Sequence, residues 1–153
     1  MVEHVGVGNL PIYFRVALGA LKPGGRFLMQ GVTSTRHMPR TAALDWAQRY
    51  IFPDAELPYI AQYVEAASAA GFELRDAECM REHYALTHRH WRLNLEAARD
   101  EVVAEVGEER YRAMRAMFGF STYHMLVGRR CEVYQLLLHA PIAGEVFAWR
   151  RPL

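Results

Sequence analysis

The sequence predicts an α/β fold, and three features of residues 10–33 carry that expectation. Pro11–Leu21 places Phe14, Ala17, Leu18 and Leu21 at the i, i+3, i+4, i+7 positions of an amphipathic helix. Pro23, Gly24 and Gly25 then stop it, because proline has no N–H to continue the ladder and glycine accepts the positive φ of a helix end. Phe27–Thr33 follows as a short, mostly apolar run, the pattern of a strand buried on both faces. Helix, tight turn and buried strand form the second half of a βαβ crossover. Its first strand is expected at or before Met1, so the sequence reads as opening inside a larger unit.

Composition bounds the class. With 153 residues, 52% hydrophobic and 23% charged, the chain can bury a real core and is globular rather than disordered. A formal charge of +1 supplies no basic field, so no nucleic acid partner is expected. Cys79 and Cys131 are far apart and form no CxxC, which fits reduced thiols in a cytoplasmic protein. No basic segment leads into an apolar run at the start, so no signal peptide is expected. Tyr134–Trp149, the most apolar late stretch, is interrupted by His139, Pro141 and Glu145 and is not a spanning helix.

The remaining elements follow in order. Met1–Asn9 reads as a strand end running into a glycine-containing loop. Ser34–Arg40 is a loop with two basic residues, and Thr41–Tyr50 a short helix ended by Pro53. Pro58–Ala70 is a helix with Tyr63, Val64 and Ala67 on its face and Gly71 as its C-terminal stop. Phe72–Met80 alternates as a strand does, with Phe72 and Leu74 on one face. A long helix is expected from about Thr87 to Val106, with Trp91, Leu95, Ala98 and Val102 one above another. A second spans Glu108–Val127, with Gly119 as a bend. Cys131–His139 is an aliphatic last strand, and residues 140–153 form a tail without a period. No internal repeat is present.

The candidates for chemistry are scattered. Glu3 and His4 stand in a loop after a strand, where ligand sites of open α/β sheets gather; a solvated loop is the structural alternative. Gln30 inside an apolar strand is expected to be a buried amide in need of partners. Tyr84 stands between a strand and a helix at a sheet edge, and an aromatic packed on that helix is the reading its position favours. His83, His88 and His90 have neither the i, i+4 helical spacing nor a zinc-finger pattern, which points to structural or solvent-facing roles and to no metal site. Arg110, Arg112, Arg115, Arg129 and Arg130 form a loose basic group. That group is either a solvated helix face or a site for a lipid headgroup or phosphate.

The order of segments says more than any one residue. Glu-His-Val-Gly at 3–6, Tyr13-Phe14, Leu-Lys-Pro-Gly-Gly-Arg-Phe-Leu at 21–28 and Arg-Tyr-Ile-Phe-Pro at 49–53 are followed by Leu57-Pro58. Gly71-Phe72, His83-Tyr84, Trp91 with Asn94, and Tyr134-Gln135 come after them. Over about residues 1–138 this series resembles the C-terminal half of the cyclopropane-fatty-acyl-phospholipid synthases and mycolic-acid cyclopropane synthases.

The resemblance implies a partial Rossmann-like class I methyltransferase fold: the C-terminal strands and helices of the mixed sheet, with the N-terminal half missing. Residues 1–140 would be half of an S-adenosylmethionine-dependent domain and residues 141–153 a tail. The implied chemistry is methyl transfer to a cis double bond of an unsaturated phospholipid acyl chain. A bound bicarbonate then deprotonates the resulting carbocation and a cyclopropane closes. The anion's holding groups fall on Glu3, Gln30, the backbone near Val32 and Tyr84, with His4 on the cofactor side. Glu3 and Tyr84 match the family, whereas Gln30 stands where histidine is usual.

Glutamine's amide donates a hydrogen bond but does not titrate, so proton loss could be redirected. Methyl- or methylene-branched products are therefore an alternative, as is a non-catalytic lipid-binding remnant. The glycine-rich cofactor loop, the acidic residue for the ribose and the family's upstream cysteine are all missing. A truncated chain with an exposed apolar face beside strand 27–33 is the resulting expectation. A cytoplasmic protein in peripheral contact with the inner membrane face is the expected setting.

Overall fold

In a computed structural model of the chain, residues 1–35, 42–144 and 146–148 are described. Most of the loop expected at Ser34–Arg40, Thr41 of the following helix and the end of the tail lie outside them. The elements are α1 (Leu10–Gly19), β1 (Arg26–Ser34), α2 (Ala42–Tyr50), α3 (Ile60–Ala70), β2 (Glu73–Cys79), α4 (Arg81–Ala97), α5 (Arg99–Leu126) and β3 (Cys131–His139). The chain divides into two compact units, one of residues 1–33, 56–79 and 133–153, the other of 34–55 and 80–132.

The first unit is built on a three-stranded sheet of order β1-β3-β2. β2 runs antiparallel to β3, with Glu73 opposite His139 and Cys79 opposite Tyr134. β1 is also antiparallel to β3. Ala140 N–H donates to Gly25 O (2.9 Å) and Gln135 Nε2 to Gln30 Oε1 (2.8 Å), so equal steps along the two strands run in opposite senses. Residues 72–80 thus lie at one edge against 131–139, with 27–33 on the other side.

Expectation and structure part over the burial of β1. Met29, Gly31 and Thr33 are buried, whereas Arg26, Leu28 and Gln30 are exposed. The strand's period of two puts Met29, Gly31 and Thr33 on the helical layer and leaves Arg26, Leu28 and Gln30 exposed on the opposite face, where only the end of the strand, at Ser34, is buried. The helical layer is α1 packed with α3, and Phe14 meets Phe72 edge-on at 6.3 Å while Phe27 lies 6.0 Å from Phe72. Tyr63, Ala66, Ala67, Leu136 and Leu138 complete this core. Gly71 ends α3 in the left-handed region (φ 105°), where a side chain would be strained. On the other face Phe147 of the tail lies 4.4 Å from the His139 ring, with the Arg75 and Arg26 guanidiniums 4.3 and 5.0 Å from its centroid.

The opening residues are not a strand end. Val2–His4 and Val7–Asn9 are two 3-10 turns separated by Gly6 at φ 85°. Local bonds such as Asn9 N–H to Gly6 O (3.0 Å) and the Glu56 carboxylate, which accepts from Val7 N–H at 2.6 Å, satisfy donors that a strand would have paired laterally.

In the second unit α4 and α5 pack along each other, and Leu95, Tyr111, Met117 and Phe118 form the core, covered by Trp46, Ile51 and Val102. The boundaries expected here shift. α4 begins at Arg81 rather than Thr87 and ends at Ala97, and α5 starts at Arg99. Within α5 the backbone leaves the helix at Gly107 (φ 82°, ψ 160°), which is the division between the expected helices 87–106 and 108–127, and not at Gly119. That φ is open to glycine and costly for other residues. The apolar stripe drawn through Ala98 crossed a different break, the one between α4 and α5, where Ala98 leaves the helical region (φ −96°, ψ 23°). No described helix is long and apolar enough to cross a membrane.

Candidate functional site

The first unit brings together Glu3 and Val32, two of the residues singled out from sequence. Val32 N–H donates to Glu3 Oε1 at 2.6 Å, and the Met1 amino group lies 3.0 Å from Oε2. Glu56 N–H donates to Glu3 O at 2.8 Å, which fixes the turn that carries the carboxylate. Burial pushes the Glu3 carboxyl upward, but the hydrogen bonds from Val32, its own backbone amide and the amino group outweigh it. The net shift is below the usual carboxylate range, so Glu3 is ionised at neutral pH.

Around it stand two phenols. Tyr13 and Tyr63 are both raised, first by burial and then by the Glu3 charge, so both stay protonated. Tyr63 is fully buried and its hydroxyl has no hydrogen-bond partner among the described residues. It packs closely against Gly31: a Cβ there would lie 3.2 Å from Tyr63 Oη and 3.1 Å from Val2 Cγ1, so a side chain would force a neighbour to give. The sequence placed Tyr63 on the packing face of its helix and missed the hydroxyl. A tyrosine on a buried helical stripe is the signal that could have raised the question.

Gln30 is not the buried amide expected. It is exposed on the even face of β1, and its Oε1 accepts from Gln135 Nε2. His4 is exposed at the end of the first 3-10 turn. Tyr84 belongs to the second unit and sits in the first turn of α4, not between a strand and a helix, because α4 starts at Arg81; its N–H donates to Met80 O at 2.8 Å.

Tyr84 opens an aromatic cluster that the sequence did not reveal. One turn on, the His88 ring lies 4.7 Å from Tyr84, 5.3 Å from Trp91 in a stacked orientation, and 5.7 Å from Phe118 of α5. His88 is 6% exposed, its Nδ1 has no partner among the described residues, and burial pulls its pKa down to about 4. It is a neutral imidazole at pH 7. The signal was the i, i+4, i+7 spacing of Tyr84, His88 and Trp91 on one helix face. Such a wall of rings suits an apolar chain and the face of a cation. Among the described residues no three His, Cys, Asp or Glu side chains gather as metal ligands.

A family model described as mycolic acid cyclopropane synthetase matches residues 1–136. A "Probable fatty acid methyltransferase" of Pseudomonas putida is 34% identical over 147 residues, which cover 94% of this chain and 37% of the relative. The tuberculostearic acid methyltransferase UfaA1 of Mycobacterium tuberculosis is 33% identical over 65% of this chain and 24% of its own length. The chain thus spans about a quarter to two fifths of these relatives. Among solved structures, the cyclopropane synthase MmaA2 of Mycobacterium tuberculosis superimposes with a TM-score of 0.83 at 26% identity, over 90% of this chain and 52% of that one. The mycolic acid cyclopropane synthase CmaA1, in a complex with SAH and CTAB, gives 0.81 at 26% identity over the same shares. The α/β architecture is that of the S-adenosylmethionine-dependent methyltransferases, in part.

Proposed function

Because the chain belongs to the mycolic acid cyclopropane synthetase family, we propose that residues 1–140 form the C-terminal half of a catalytic domain that methylates lipids. The domain transfers a methyl group to the double bond of an unsaturated phospholipid acyl chain and yields a cyclopropane fatty acid. The carrying observation is Glu3, ionised and locked onto Val32 N–H in a chain with the fold of two cyclopropane synthases. The substrate's setting makes the protein cytoplasmic, in peripheral contact with a membrane.

S-adenosylmethionine, when bound, supplies an electrophilic methyl group. Of its site the described residues offer His4 on the first 3-10 turn and no glycine-rich loop after a strand. They do not compose a cofactor pocket. The roles of this chain's own groups follow from their chemistry. Glu3, an acceptor only, can hold the O–H of bicarbonate and thereby set which oxygen faces the substrate. Tyr84 can donate a hydrogen bond, and its ring, with Trp91 and Phe118, excludes water from an acyl chain.

Gln30 does not fit a dry anion site, since it is exposed and its amide is engaged with Gln135. This favours a second reading within the same family, in which proton loss is redirected and the product is a methyl- or methylene-branched chain. The test is a chimera. The segment of the Pseudomonas putida relative that aligns with this chain is replaced by it, and the product is purified, checked for folding and given methyl donor and unsaturated phospholipid vesicles. Acyl chains gaining one CH2 support methyl transfer, and chromatography against ring and branch standards separates the two readings. A folded chimera that leaves the lipid unchanged, beside an active parent, refutes both. Glu3→Gln should abolish turnover, and wild-type turnover in that variant removes Glu3 from the site.

A further inference from the structure

The last two turns of α5 carry a surface that the methyl-transfer reading leaves unused. Phe120, Tyr123, Leu126 and Val127 are 45, 55, 46 and 65% exposed. Their spacing of three, four and seven puts them on one stripe of the helix, opposite the buried Met117, Phe118 and Met125. The chain then turns tightly. Val127 and Gly128 N–H both donate to Tyr123 O (2.8 and 3.0 Å), and Arg130 N–H donates to His124 O at 3.0 Å. Gly128 is required there, since a Cβ would come within 2.7 Å of His124 Nδ1. This turn sets Arg129 and Arg130 directly beside the apolar stripe, both exposed.

Charge decides what such a stripe is for. From Phe120 to Arg130 the sequence contains no acidic residue. Four arginines of this unit are neutralised locally: Arg92 and Arg115 by Glu96 (3.1 and 2.6 Å), Arg99 by Glu108 (2.8 Å) and Arg81 by Glu82 (2.6 Å). Among the described residues neither Arg129 nor Arg130 has a carboxylate within salt-bridge distance. A helix end that exposes two aromatic and two aliphatic side chains next to two uncompensated arginines matches the two layers of a bilayer interface: an apolar boundary and, above it, an anionic headgroup plane.

We propose that the Phe120–Arg130 segment is a docking surface for an anionic lipid bilayer. Phe120, Tyr123, Leu126 and Val127 enter the headgroup–acyl boundary, and Arg129 and Arg130 pair with lipid phosphates. The inference rests on the lipid reading above and deepens it by naming the surface. Its test needs no turnover, so the failure of one can be told from the failure of the other.

The experiment is co-sedimentation of the full chain with vesicles of phosphatidylglycerol and phosphatidylcholine, and with phosphatidylcholine alone, at low and high salt. The wild type should bind the anionic vesicles more strongly and lose that advantage as salt rises. Arg129→Gln with Arg130→Gln should weaken binding to anionic vesicles about thirtyfold, at roughly fivefold per basic residue near such a surface. Leu126→Ser with Val127→Ser should weaken binding to both vesicle types on the order of tenfold or more. All four positions are exposed, and circular dichroism confirms that each variant stays folded. No binding by the wild type, or equal binding by wild type and both variants, overturns the proposal. So does a dimer that the Leu126→Ser, Val127→Ser pair dissolves while vesicles stay unbound, because the stripe would then be a contact between copies.

Discussion

His88 should make the protein acid-sensitive in a window set by its burial, and His88→Leu should remove that sensitivity. In the unfolded chain its pKa is near 6.5; in the folded protein it is about 4, because the ring sits among Tyr84, Trp91 and Phe118. Above about pH 6.5 the group is neutral in both states and contributes no pH dependence. As pH falls toward 4, the unfolded state takes up the proton and the folded state does not, so stability declines; below 4 both are protonated and the decline stops. At pH 5 these values predict a loss of about 2 kcal/mol relative to pH 8, a ceiling because the half-exposed edge of Trp91 admits solvent. Leucine fills a similar volume without a buried, unpartnered Nδ1, so the variant should also be about 1 kcal/mol more stable at pH 8. The assay is urea denaturation of both proteins at pH 8 and pH 5, followed by circular dichroism and by tryptophan fluorescence, to which Trp91, stacked on the ring, contributes. The difference of differences isolates His88 from the other histidines. Equal loss of stability in wild type and variant, or an NMR titration of His88 near 6.5, would refute the reasoning.

Other outcomes follow from the first unit. Gly31→Ala should destabilise by about 1–3 kcal/mol, because its methyl meets Val2 Cγ1 and Tyr63 Oη, and the buried Tyr63 has no room to retreat; an unchanged denaturation midpoint would show that the strand can shift. Glu3→Ala should cost about 1–3 kcal/mol at pH 7 by orphaning Val32 N–H, and the gap to wild type should close as acid protonates Glu3. The sign follows from a lowered carboxylate pKa, whose stabilisation is present above the unfolded value and lost below the folded one. Phe147→Ala should leave the melting transition nearly unchanged but raise the protease susceptibility of the tail, since Arg26, Arg75 and His139 hold it through that ring. Unaltered cleavage would mean that other contacts anchor the segment.

Local patterns along the chain determined much of this protein. The apolar periods of α1 and α3, the stop at Gly71 and the aliphatic run of β3 state their elements, because period, cap and length are properties of a few neighbouring residues. The succession of short motifs from Glu3 to Gln135 was enough to identify the family. What residues far apart do to one another was legible only in the fold. Glu3 meets Val32 N–H across a gap of twenty-nine residues, and Gln30 turned outward because strand pairing sets which parity faces the helices. The break after Ala97 interrupts no hydrophobic period, so the stripe ran straight through it. His88 read as one of three scattered histidines. Only the packing of α5 against α4 put Phe118 over its ring and withdrew its nitrogen from water, and desolvation by neighbours remote in sequence decides whether an imidazole carries charge.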